Sequence, residues 1–264
     1  MSPPPHPPHV EKNLRTWNRD SARYQSEHAS QLGTVEPTWG VWARPEREVG
    51  ALPEVAGKDV LELGCGGAQW SIALARRGAR VTGLDVSAAQ LEHARALIAR
   101  AGVAVRLALA SAEATGLPDA SFDLVFCDHG AMSFADPLCT VPEAARLLRR
   151  GGWFVFNMAT PWLDACWDPA TDRVTDRLHA DYFAMHAFAT ADAVTFQLPY
   201  GRWVKLLRRH GLAIEDLIEL SPPEGAETTY RDFAPLAWAR RWPAEHIATH
   251  PALRAGAQWK LRKE

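Results

Sequence analysis

Neither sign of charge dominates this chain: 29 lysines and arginines face 31 aspartates and glutamates, a formal net charge of -2 over 264 residues. Without a strong field there is no electrostatic support for tracking a polyanion or an anionic lipid surface, so neither nucleic acid nor membrane is expected as a partner. The basic clusters Arg146, Arg149, Arg150 and Lys205, Arg208, Arg209 are read as cations in the last turns of helices, where they offset the helix dipole. Cysteine is scarce. Cys65, Cys127, Cys139 and Cys166 show no C-x-x-C spacing and no histidine at a zinc-site separation, so no metal is expected, and reduced thiols in a cytoplasmic protein fit better than disulfides. Also missing is any run of the roughly 20 apolar residues that span a bilayer. The proline-rich start, 2–8, lacks the charged and apolar regions of a signal peptide, and residues 1–10 are expected to form a disordered tail.

What is present is a repeating grammar. A helical pattern over 13–32 stops at Gly33, and an aromatic stretch, Thr38-Trp39-Gly40-Val41-Trp42, follows; residues 11–56 read as an N-terminal helical cap, with a short helix closing at Gly57. From residue 57 to the end, strands are expected at 59–65, 80–86, 105–110, 122–128 and 153–158, and helices at 68–77, 88–101 and 142–149, closing on Gly78, Gly102 and Gly151. Alternation of this kind is the pattern of an α/β fold: a Rossmann-like, doubly wound, mostly parallel sheet of about seven strands with helices on both faces. A helix at 203–210 and strands at 213–220 and 258–262 complete it. Residues 160–199 break the rhythm with scattered aromatics and read as an inserted lid.

In Leu61-Glu62-Leu63-Gly64-Cys65-Gly66-Gly67 a buried strand runs straight into glycines, where the backbone turns sharply and a ligand can approach the main chain. Some 20 residues on, Asp85 ends the second strand, where a carboxylate can accept both hydroxyls of a ribose. A dinucleotide fingerprint would need a third glycine where Gln69 stands, and Glu62, two residues before the first glycine, suits a cationic ligand better than a pyrophosphate.

The run Val60-Leu61-Glu62-Leu63-Gly64-Cys65-Gly66, then Gly83-Leu84-Asp85-Val86-Ser87 with Gln90-Leu91, then Ala112-Glu113 before Leu117-Pro118, Ser121-Phe122-Asp123-Leu124-Val125 and Leu147-Leu148-Arg149-Arg150-Gly151-Gly152 closely resembles the class I methyltransferases that use S-adenosylmethionine (SAM). The resemblance covers about residues 59–158; more weakly, the flanks 17–32 and 197–226 are similar to small-molecule methyltransferases common in actinobacteria. It implies SAM as cofactor and S-adenosylhomocysteine as product. Glu62, Gly64, Cys65 and Gly66 would hold the methionine end, Asp85 the ribose, Val86 the adenine and Gln90 the ribose or adenine edge. Ser111 stands where relatives usually place an aspartate, leaving the backbone of Ala112 and Glu113 to meet the adenine. Asp128 and His129 would lie beside the sulfonium, and Tyr24 joins the same site.

Methyl transfer asks the protein to align a nucleophile, exclude water and, for a poor nucleophile, remove a proton. His129, at the end of the fourth strand, is the candidate base, with packing or backbone binding as its other reading. Cys127 is read as packing. His28, Trp39, Trp162, His186 and Gln197 are candidates for binding a small-molecule acceptor under an aromatic lid. A monomer or homodimer is expected. A catalytically silent SAM-binding scaffold and a nicotinamide-dependent oxidoreductase stay open as alternatives.

Overall fold

The structure, a computed structural model, describes residues 6–252. Seven strands form the central sheet: β1 (Asp59–Leu63), β2 (Arg80–Asp85), β3 (Val105–Leu109), β4 (Phe122–Asp128), β5 (Leu148–Ala159), β6 (Asp216–Leu220) and β7 (Glu245–Pro251). Their order across the sheet is β6-β7-β5-β4-β1-β2-β3. Only β7 runs against its neighbours. The inner strands are apolar runs because both faces are covered. Leu61 and Leu63 point into one core cluster with Phe154 and Phe156, while Val60 points into the other with Leu124, Phe126 and Val155.

The helices that matter to the site are α1 (Pro8–Glu27), α2 (Gln69–Arg76), α3 (Ala88–Ala101), α4 (Gly130–Phe134), α5 (Pro137–Leu147), α6 (Pro161–Cys166) and α7 (Tyr200–Arg209). Helix α3 is capped at both ends, by Ser87 Oγ accepting from the Gln90 amide and by Gly102 in the left-handed conformation. In α7, Trp203, Leu206 and Leu207 recur at helical spacing and bury one face, each contributing roughly 1.5–3 kcal/mol.

Several expectations are corrected. Helix α1 begins at Pro8, so the expected tail is helical over its last three residues; proline is tolerated in a first turn, whose amide has no partner in any case. Helix α5 starts at Pro137, capped by Asp136, and carries Pro142 inside it. A single helical turn at Glu46–Val49 closes on Gly50, well before Gly57. The inserted segment is a set of small elements: α6, the paired strands Trp167–Asp168 and Arg173–Val174, one 3-10 turn, and the hairpin Ala187–Ala189 with Val194–Phe196. The seventh strand is Glu245–Pro251, a segment not read as a strand at all; the expected strand at 258–262 lies outside the described residues.

Helix α1 is held by polar side chains rather than by a broad apolar face. Asn13 gives its amide to the carbonyls of Phe134 and Val194 and accepts from the Val194 amide. Asn18 receives Ser87 Oγ and the Ala89 amide. These bonds lay the helix across the carboxyl ends of β1 and β2. Trp39, Ala51 and Val55 join the same core cluster as Val60 and Phe126.

Candidate functional site

A cavity of about 820 Å³ opens at the carboxyl ends of β1, β2 and β4, under α1 and residues 229–233. That volume lies in the roughly 300–1,000 Å³ range of small-molecule sites, at the edge where open α/β sheets bind ligands. The turn after β1 sets its floor. Gly64 has φ +72°, and a Cβ there would lie 2.4 Å from the Ala131 amide nitrogen. Glycine is therefore required by the close approach of the first turn of α4. Gly66 has φ +52°, and a Cβ there would meet only the side-chain ends of Gln90 at 3.7 Å and Gln25 at 3.8 Å, ordinary contact distances, so no main chain crowds it.

Two carboxylates flank this turn. Asp85 accepts from the Gly66 amide at 2.9 Å and the Ser87 amide at 2.8 Å, which fixes its orientation at the cavity wall. Burial raises its pKa, with those amide bonds working against the shift. Glu62 accepts the Ser71 amide at 2.9 Å and the Ser71 hydroxyl at 2.5 Å. Burial pushes its pKa up to about 8, the Ser71 bonds opposing and Asp128 and Asp85 adding to the rise. A buried acid in that condition gains from any cation that arrives beside it.

On the other side of β1 the wall is built by β4, β5 and β7. Asp128 and Asn157 are register neighbours across β4 and β5. Asp128 is spent on holding the wall: it accepts from the Gly40 amide, Asn157 Nδ2 at 2.7 Å and Trp70 Nε1 at 3.2 Å. His129 follows with φ +57° and ψ -72°, a backbone state that costs about 1–3 kcal/mol for a residue with a side chain. Its amide donates to the Asn157 carbonyl at 2.9 Å, and its Nε2 lies 2.8 Å from Glu245 Oε2. Burial alone would lower the His129 pKa; the hydrogen bond and charge of Glu245, helped by Asp128 and Asp164, outweigh it and raise it. Asp164, on α6, also lines the cavity; burial raises its pKa to about 6 against the bond it accepts from Gln197.

Of the cofactor residues expected from sequence, Tyr24, Glu62, Gly64, Cys65, Gly66, Asp85, Val86, Gln90, Ser111, Ala112, Asp128 and His129 all line this one cavity. Glu113 does not: its carboxylate binds His9 and the Asp136 amide. Among the acceptor candidates only His28 reaches the cavity, stacked on Tyr230 at 3.9 Å and bonded to Thr229. Trp39 is fully buried against Trp70, its indole N–H given to Glu46. Trp162 is half exposed and stacks on Tyr182. His186 pairs with Asp136 beside a separate small hollow. Gln197 is buried behind the wall, where its amide carbonyl takes Trp203 Nε1 and the Leu198 amide. Cys127 is buried and accepts from the Met132 amide, in keeping with packing.

Four residues of the site have no counterpart in the sequence reading. Gln25 bridges Gln90 and Gln69 over the glycine turn. Tyr230 shares a 2.8 Å hydroxyl bond with Tyr24 across the roof. Asp164 had a local signal: the Thr160 cap with Pro161 at N1 marks a helix start right after β5, hence at the ligand edge of the sheet. Glu245 had none, because it reaches the site only through the reversed direction of β7, which puts that strand's first residue at the carboxyl end of the others.

Residues 61–156 match the family model described as a methyltransferase domain. Over 113 residues the chain is 39% identical to the ubiquinone biosynthesis O-methyltransferase of Thiobacillus denitrificans, covering 42% of this chain and 48% of that protein. The chain thus spans about half the length of the curated relatives it matches. Among solved structures, an S-adenosylmethionine dependent methyltransferase from Mesorhizobium loti is 26% identical with a TM-score of 0.63, covering 77% of this chain and 94% of that one. A Burkholderia thailandensis 1,6-didemethyltoxoflavin-N1-methyltransferase, with S-adenosylhomocysteine bound, shares the fold at 15% identity and a TM-score of 0.57, covering 96% of this chain and 94% of that one. Residues 61–156 are thus similar to a methyltransferase domain, and the architecture around them is shared with S-adenosylmethionine-dependent methyltransferases of known structure.

Proposed function

We propose that this protein methylates an oxygen atom of a small-molecule acceptor, with SAM as the donor. One observation carries the reading: a single cavity brings the paired carboxylates Glu62 and Asp85, on either side of a bare glycine turn, together with an imidazole backed by a buried glutamate. The residues present fit the donor. Asp85 is oriented by two amides and keeps lone pairs for ribose hydroxyls; Glu62 offers negative charge to an ammonium group; Gly66 puts no side chain of its own between the turn and the cavity. Val86, Ser111 and Ala112 line the end of the cavity where an adenine would lie. When bound, SAM supplies a methyl group activated on a sulfonium sulfur, which leaves as the neutral thioether of S-adenosylhomocysteine.

The chain's own part is positioning and proton removal. Tyr24, Gln25 and Tyr230 roof the cavity and exclude water. His129 receives the proton of the acceptor hydroxyl, so the oxygen attacks with its full electron density. The oxygen acceptor is favoured over nitrogen or carbon by that base and by the O-methyltransferase relatives. Among the described residues no helix is long and apolar enough to cross a membrane. Incubation with methyl-labelled SAM and a panel of phenols, enols and amines tests the reading: S-adenosylhomocysteine release should depend on an O–H acceptor. Release with amines only, or none above the spontaneous rate with any acceptor, would overturn it.

A further inference from the structure

We infer that Glu245 is the positioning residue of the reaction, holding His129 in the single ring orientation and tautomer in which its Nδ1 lone pair faces the acceptor. The inference rests on the proposed role of His129 as base.

Glu245 is fully buried at the first position of β7, yet it is crowded with donors. Its Oε2 accepts from the Val41 amide at 2.9 Å and from Asn157 Nδ2 at 3.2 Å, and lies 2.8 Å from His129 Nε2. A carboxylate so surrounded can only accept, so Nε2 must carry the hydrogen and Nδ1 is left as the basic nitrogen. Nδ1 has no hydrogen-bond partner among the described residues, although the ring lines the cavity. Phe233 meets the ring edge-on at 5.4 Å and limits its swing.

The backbone supports the same orientation. His129 sits at φ +57°, and Gly130 cannot carry a side chain, because a Cβ would lie 2.7 Å from the Gly64 carbonyl oxygen. A strained residue at a ligand edge needs surroundings that over-determine it. The Asn157 carbonyl and the Glu245 carboxylate hold the residue at main chain and ring. Gly40 shows how closely Glu245 is enclosed: a Cβ there would meet its carboxylate at 1.9 Å. The charged and titratable groups that act on the imidazole are Glu245 and His246 from β7, Asp128 from β4 and Asp164 from α6. Of these only Glu245 hydrogen-bonds the ring, and it stabilises the imidazolium formed when the acceptor's proton passes to Nδ1.

Nitrogen-15 NMR of histidine-labelled protein without ligand tests this separately from any turnover, with His129→Asn used to assign the signal. Wild type should show the Nε2–H tautomer at neutral ring, and Glu245→Gln should lower the ring's titration midpoint by about one unit or more. In the kinetics the rising limb of kcat against pH should then move to lower pH and its plateau fall, while KM for SAM stays put. A purely structural role for Glu245 would not move the limb. An Nδ1–H tautomer in wild type would overturn the inference, and that measurement decides it even if Glu245→Gln does not fold. So would an unchanged midpoint in a folded Glu245→Gln. If SAM turnover is absent altogether while tautomer and midpoint behave as stated, it is the proposed function that fails, not the pairing.

Discussion

Replacing Glu62 by glutamine should move stability and ligand affinity in opposite directions. Glu62 is enclosed on β1 with Ser71 as donor on one side and the cavity on the other. Its folded pKa of about 8 is higher than its ordinary value near 4.5 because of burial. An acid raised on folding contributes most below its unfolded pKa, and that contribution is lost as pH climbs through the folded value. By pH 9 the ionised side chain costs the empty protein on the order of 3–5 kcal/mol. Glutamine keeps the shape and can still accept from Ser71, so empty Glu62→Gln should melt higher than wild type at pH 9 and close to it at pH 5. Binding reverses the sign, because the charge-assisted bond to an ammonium group is gone. A loss of about 1.5–3 kcal/mol corresponds to a roughly 10- to 150-fold weaker Kd for S-adenosylhomocysteine. Titration calorimetry at pH 7.5 and thermal melts at the two pH values measure both arms. A Kd within about twofold of wild type would refute the assignment of this carboxylate to the ligand.

The glycines of the turn should separate in the same assays. Gly64→Ala meets a backbone nitrogen and should cost about 2–4 kcal/mol or more of stability, whereas Gly66→Ala should fold with about 1–2 kcal/mol lost and yet bind S-adenosylhomocysteine poorly. Trp39→Ala should cost about 3–5 kcal/mol in chemical denaturation. Trp162→Ala should cost about 0.5–1.5 kcal/mol, the loss of its stack on Tyr182, and leave the acceptor's KM unchanged. His246, buried and held neutral with a pKa lowered to about 3, makes the fold acid-sensitive: its contribution is whole above the ordinary histidine pKa and is lost as pH falls towards 3. At pH 5 it should subtract about 2 kcal/mol, a penalty absent from His246→Phe in denaturation at pH 7.5 and 5.

The parallel part of the sheet was legible because β1, β2 and β4 are apolar runs that end on a glycine or a carboxylate, and both signals are local. Strand β7 was not, since Glu245-His246-Ile247-Ala248-Thr249-His250-Pro251 looks polar. It is buried all the same, and that burial lowers the pKa of His246 to about 3 and of His250 to about 4, so both pack as neutral rings. The end of the cavity lined by Glu62, the glycine turn and Asp85 is marked by chain-local motifs, whereas the lining that faces it is not. Trp39, Trp162 and Gln197 were chosen by residue type, and type does not say which way a side chain faces. Asp164, Tyr230 and Glu245 enter the site from segments 36 to 117 residues away from Asp128 only through the β5 crossover, the roof and the reversed β7. Sheet topology, not spacing, brings them to His129.

A crystal structure with S-adenosylhomocysteine bound is the most direct measurement. The ribose hydroxyls should lie on the Asp85 carboxylate, the amino group on the Glu62 side of the glycine turn, and the sulfur should open towards His129. A ligand bound with its ribose away from Asp85, or outside the cavity under α1, would contradict the account.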